Sequence, residues 1–122
     1  MENTALSKLK SQKDIDTFCS DQFLFCIDQA LDTYGGTVKT VVYHALEKEY
    51  GLPRGSIPGT PETFVFGLEK FFGMGSKPVE RTIIRKMETF SGLKDLGQDD
   101  VVTALKKVRH HLHVVANDGS QI

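Results

Sequence analysis

Glycines divide this chain into helix-sized pieces. Gly35-Gly36, Gly51, Gly73 and Gly92 each close a run whose apolar residues recur three and four positions apart. That spacing places them on one face of a helix, and glycine ends helices readily. The clearest run is Val38, Val41, Val42, Ala45, Leu46 and Tyr50, one buried stripe with Thr37 as its expected N-cap. Its β-branched valines disfavour a helix slightly, and the periodicity outweighs them. No segment alternates as a strand does.

Five such runs follow one another. The first opens at Asp14 or Asp16 and carries Ile15, Phe18, Cys19, Phe23, Cys26, Ile27 and Leu31. The third opens at Thr60-Pro61-Glu62, an N-cap hydroxyl, a first-turn proline and an acid at the positive helix end. The fourth carries Val79, Ile83, Met87 and Phe90. The fifth runs from about Asp99 to His113, with acids at its start and Lys106, Lys107 and Arg109 near its end. Ile57 is expected to pin the Pro/Gly-rich connector 51–60, and 93–98 reads as a polar loop.

The predicted fold is all-α, a compact single-domain bundle of about five helices at residues 13–115. A flexible arm at 1–12 precedes it and a frayed tail at 116–122 follows. At 122 residues the chain supports one core without metal or disulfide staples. Lys plus Arg total 15 against 16 Asp plus Glu, which excludes a polycation that coats nucleic acid. The polar start and the lack of an apolar run of membrane length point to a cytoplasmic protein.

Three stretches carry a family resemblance. They are Cys26-Ile27-Asp28-Gln29-Ala30-Leu31 followed by Val41 to Glu47; then Ile57-Pro58, Pro61-Glu62, Phe64 and Leu68-Glu69-Lys70; then Phe71 to Glu80 followed by Ile84. In order and spacing they resemble the small archaeal "Nitrosopumilus output domain" family over residues 25–90. The resemblance implies a helical, cytoplasmic regulator with an output or interaction role, alone or beside signal-receiver modules. It brings no enzymatic activity and no catalytic residues.

Residues 68–84 also resemble a helix-hairpin-helix, a motif that grips nucleic-acid backbone. In that reading Met74 tucks between Gly73 and Gly75, and Gly75, Ser76 and Lys77 face a phosphate. Lys77, Arg81 and Arg85, spaced by four, extend a basic row along the fourth helix, with Lys86 adjacent. Two residues depart from the motif: Phe72 stands where proline is usual, and Pro78 removes a donor. The alternative is a plain glycine turn beside a solvated basic face.

The remaining chemistry-bearing residues suggest structure. Cys19 and Cys26, about 10.5 Å apart along a helix, read as buried thiols. His110 and His113 could share a ligand, but helix-end or surface roles are the expectation, with no metal and no cofactor. His44 reads as partly buried. Glu80 could cap the glycine turn or pair with a lysine. No catalytic set stands out, so the chain is not expected to be an enzyme.

The aromatics point to association. Phe64, Leu68, Phe71 and Phe72 share a face while Phe66 points away. On the first helix Phe23, Leu24 and Phe25 wrap around the face that Phe18 and Cys26 define. Either the first helix is central or a partner covers it, and a homodimer is the expectation, with Phe23, Phe25 and Phe66 as its surface. Two functions follow: a non-enzymatic interaction module with a protein partner, or a nucleic-acid-binding regulator using Gly73, Gly75, Ser76, Lys77, Arg81 and Arg85.

Overall fold

The computed structural model describes residues 11–119. Among them are five α-helices and no strand: α1 (Gln12–Asp32), α2 (Gly36–Tyr50), α3 (Pro61–Phe72), α4 (Ser76–Ser91) and α5 (Val101–Gly119). Short 3-10 segments at Arg54–Gly59 and Gly73–Gly75 join α2 to α3 and α3 to α4. The expected arm lies outside the described residues except for Ser11 and Gln12. None of the described helices is long and apolar enough to cross a membrane.

The helix ends show where local chemistry differs from expectation. α1 begins before the aspartates because extended Ser11 accepts the Asp14 N–H on its Oγ at 3.1 Å. α2 starts at Gly36 from Gly35 at φ 99°, so Thr37 sits inside the first turn and caps nothing. Thr60 also provides no side-chain cap; its hydroxyl donates to the Ser56 carbonyl at 3.4 Å. α5 continues to Gly119, past the expected end at His113, so the first four residues of the expected tail are helical. Lys106, Lys107 and Arg109 therefore lie in mid-helix, where the dipole gives them little. Asp100 does act at its start, accepting the Thr103 N–H at 2.7 Å.

α1 is the central helix. It buries Ile15, Cys19, Phe23, Leu24, Cys26, Ile27, Ala30 and Leu31, and packs against α2, α4, α5 and the first 3-10 segment. Apart from Phe25, its two apolar faces are thus covered within the chain. Phe23 is fully buried and meets the Phe64 ring edge-on at 6.4 Å, so it belongs to the core and not to an interaction surface. Phe25, on the same helix, is 53% exposed. Cys19 and Cys26 are buried and free. Burial pushes the Cys26 thiol up to about 12, which leaves it protonated and unreactive in neutral water.

α2 is peripheral. Only Val42 and Leu46 of its stripe are buried, Val41 is exposed, and His44 stands in solvent instead of beside the core. It crosses α3 closely at Gly67, where a Cβ would collide with Leu46 Cδ2 and touch the Tyr50 ring. The connector is pinned as expected by fully buried Ile57. The 93–98 loop is less polar than it reads: Leu96 is buried, and its N–H donates to Glu88 Oε2 at 2.8 Å.

Asp28 joins three elements. It accepts Arg54 Nη2 at 2.6 Å and Nε at 3.2 Å, and also the Tyr43 hydroxyl. Burial pushes its carboxyl up, but the hydrogen bonds from Arg54 and Tyr43 outweigh that and hold it below the ordinary value.

Candidate functional site

The glycine hairpin joins α3 to α4 by a route that differs from the phosphate-gripping motif. Gly73, at φ 59° and ψ −133°, ends α3 in a conformation that side-chain-bearing residues rarely adopt. Gly75 has an ordinary right-handed backbone. Met74 is 87% exposed and tucks into nothing, so the expected plug between two helices is absent. Ser76, expected to line a phosphate, is fully buried, and its Oγ has no hydrogen-bond partner.

The basic row is exposed. Lys77, Arg81 and Arg85 all reach solvent on α4. Lys77 Nζ lies 3.6 Å from Glu69 Oε2 on α3. Arg81 and Arg85 make no ion pair among the described residues.

Glu80 lies between these cations in sequence but faces inward. It is 8% exposed, and its Oε2 has no partner. It neither caps the glycine turn nor pairs with a lysine. The signal for its burial was present: positions 76, 79, 80, 83, 84 and 87 form an unbroken three-and-four spacing, which places Ser76 and Glu80 on the buried stripe of α4.

Two clefts meet at Glu80. One, of about 410 Å³, lies between the start of α4 and the loop before α5, lined by Lys77, Glu80, Arg81, Ile84, Asp99 and Asp100 among others. The other, of about 330 Å³, lies against α3, where Glu62, Val65, Phe66 and Glu69 face Lys77, Glu80, Asp100 and Val102. Lys77, Glu80 and Asp100 line both. Together the clefts carry five carboxylates, Glu62, Glu69, Glu80, Asp99 and Asp100, against two cations, Lys77 and Arg81. The Thr103 N–H holds the Asp100 carboxyl below its ordinary value, so its charge persists. A phosphate at Lys77 would meet an acidic surround.

Phe66 links this region to the exposed aromatics. It is 49% exposed, its ring lies edge-on to Tyr50 at 5.7 Å, and Lys70 Nζ sits 5.3 Å from its centre. Phe71 and Tyr34, each 42% exposed, flank half-buried Phe72 at 4.9 and 5.7 Å. Phe25 stands apart on α1 and makes no ring contact among the described residues.

Sequence reasoning missed a further groove, of about 670 Å³, between the 93–96 loop and α5. Leu93 and Val114 supply its apolar wall; Lys94, Lys106, His110 and His111 supply its basic rim. The spacing of Lys106, His110 and Val114 by four is the signal that could have revealed it. The histidines are divided between two places. His113 Nε2 lies 2.8 Å from Asp16 Oδ1 on α1, away from His110. Among the described residues no group of three side chains is placed to hold a metal ion.

Comparison with family models, with curated proteins and with solved structures finds no match to this chain.

Proposed function

We propose that this chain is a non-enzymatic helical interaction module, a cytoplasmic output or regulatory domain that works through protein–protein contacts as a homodimer. The observation that carries the reading is Phe66. It is a half-exposed aromatic held upright by Tyr50 and Lys70 on α3, the helix that also presents Phe71. Aromatics fixed in place lose little entropy on binding and commonly anchor interfaces. The resemblance read from the sequence over residues 25–90 points the same way, although no family model matches the chain.

Sedimentation at micromolar concentration tests the homodimer. The wild type is expected at twice 13.6 kDa. Phe66→Ala with Phe71→Ala should shift it to the monomer, weakening association by about tenfold or more. A wild type that sediments as a monomer at that concentration would sink the homodimer.

A second reading, a nucleic-acid-binding regulator, draws on exposed Arg81 and Arg85, unpaired among the described residues. Retention on heparin that falls with salt, and is lost when Lys77, Arg81 and Arg85 are neutralised, would support it. No retention at low salt would end it.

A further inference from the structure

We infer that the twin cleft around Glu80 is a receptor for a basic side chain, an arginine above all, carried by a partner segment with an apolar neighbour. The inference rests on the interaction-module reading and names the chemistry of the partner.

Glu80 is the starting point. A carboxylate taken out of water is stable only with a positive partner or several hydrogen bonds. Glu80 is 8% exposed, lines both clefts and has no partner for Oε2. Ser76, one turn earlier on the same face, is fully buried and lines neither cleft, so Glu80 is the group of this face that a ligand in the clefts can meet. An unpartnered carboxylate bordering both clefts suits a group that is all donors.

The surrounding charges select its sign. Of the five carboxylates, Asp99 is engaged by Lys107 at 3.0 Å, Asp100 by the Thr103 N–H at 2.7 Å and Glu69 by Lys77 at 3.6 Å. Glu62, Glu80 and Asp100 are left without an ion pair among the described residues. The cleft therefore favours a cation and repels a phosphate.

The walls select the kind of cation. Phe66, Val65 and Val102 border the second cleft. A guanidinium is planar, weakly hydrated, stacks on rings and offers five donors; an ammonium is strongly hydrated and offers three. An arginine can meet Glu80 while its apolar neighbour rests on Phe66.

Lys77 separates this inference from the phosphate reading, because the two give it opposite signs. Its ammonium competes with an incoming cation but would help hold a phosphate.

The test is an amide-resolved NMR titration of the full chain with N-acetyl-arginine methylamide, and with its neutral citrulline counterpart as control. Arginine is expected to shift amides within 62–69, 77–84 and 97–102, and citrulline to leave them still. Glu80→Gln should weaken the arginine response by about fivefold, and Lys77→Ala should strengthen it by about twofold. If Glu80→Gln fails to fold, Glu62→Gln, on the exposed first turn of α3, should still weaken it by about twofold. Equal shifts with citrulline, no saturable shift with arginine, or an undiminished response in the glutamine variant that folds would overturn the inference. Failure of the module reading looks different: a chain that stays monomeric at micromolar concentration while its cleft still responds to arginine loses the homodimer and keeps the receptor.

Discussion

Asp28 shows how much one side chain can join. Its carboxylate takes a two-pronged grip from Arg54 and the Tyr43 hydroxyl, so α1, α2 and the first 3-10 segment meet on one charge. Arg54 is well exposed and solvent screens the pair, which limits its worth to about 1 kcal/mol. The pH dependence follows from the direction of the shift. The folded-state carboxyl lies below the ordinary value of 3.8, so the folded chain holds this group's proton less tightly than the unfolded chain does. Its stabilisation is fully present above that value and disappears as pH falls through the folded value. Asp28→Asn is expected to destabilise by about 1 kcal/mol in urea unfolding at neutral pH, and the gap to wild type should close as pH drops below 3.8. A gap that stays constant down to pH 2 would assign the loss to packing instead of charge.

The helices themselves were legible from the spacing of apolar residues, and their C-terminal stops from Gly51, Gly73 and Gly92. The starts were harder, because a hydroxyl before a helix caps only if the backbone turns it toward the first N–H groups. Ser11 does so; Thr60 bonds backward to Ser56 instead. How closely two helices approach is also invisible to periodicity. Gly67 lies in the interior of α3, where glycine usually weakens a helix. Its reason is across the contact: Leu46 of α2 occupies the space a Cβ would need, with the Tyr50 ring in ordinary contact beside it. Gly67→Val should therefore push α2 from α3 and cost about 2 kcal/mol in urea unfolding. The valine methyls would also press on the Tyr50 ring, which meets Phe66 edge-on, so the variant should lose association as well as stability. A neutral effect would mean that Leu46 swings aside freely. Of the hairpin residues, the exposure of Lys77, Arg81 and Arg85 was readable from their spacing by four. The burial of Glu80 was readable in principle but was masked by its charge, and the cleft around it depends on how α3, α4 and α5 converge.

The arrangement around α1 decides how the molecule holds together. A helix that is apolar on two faces, read alone, fits a central helix or a dimer surface equally well, since both cover the second face. Within this chain α2, α4, α5 and the first 3-10 segment cover it. All the elements that border the Glu80 cleft, α3, α4 and α5, share the core in which Phe23 meets Phe64. Loosening that core should release them together, so unfolding in urea should be one transition, with the same midpoint by helix content and by tyrosine fluorescence. Phe23 and Phe25 then separate what the helix pattern could not. Phe23→Ala removes a fully buried ring and should cost about 3–5 kcal/mol, a large share of the roughly 5–15 kcal/mol that stabilises a domain of this kind. Phe25→Ala removes a ring that is 53% exposed and should change stability by no more than about 0.5 kcal/mol. If Phe25 belongs to the dimer contact, its variant will sediment as the monomer, and the midpoint of its unfolding will lose its dependence on protein concentration. Two separate transitions, or a Phe23→Ala variant as stable as the wild type, would mean that α1 is not the helix on which the rest is assembled.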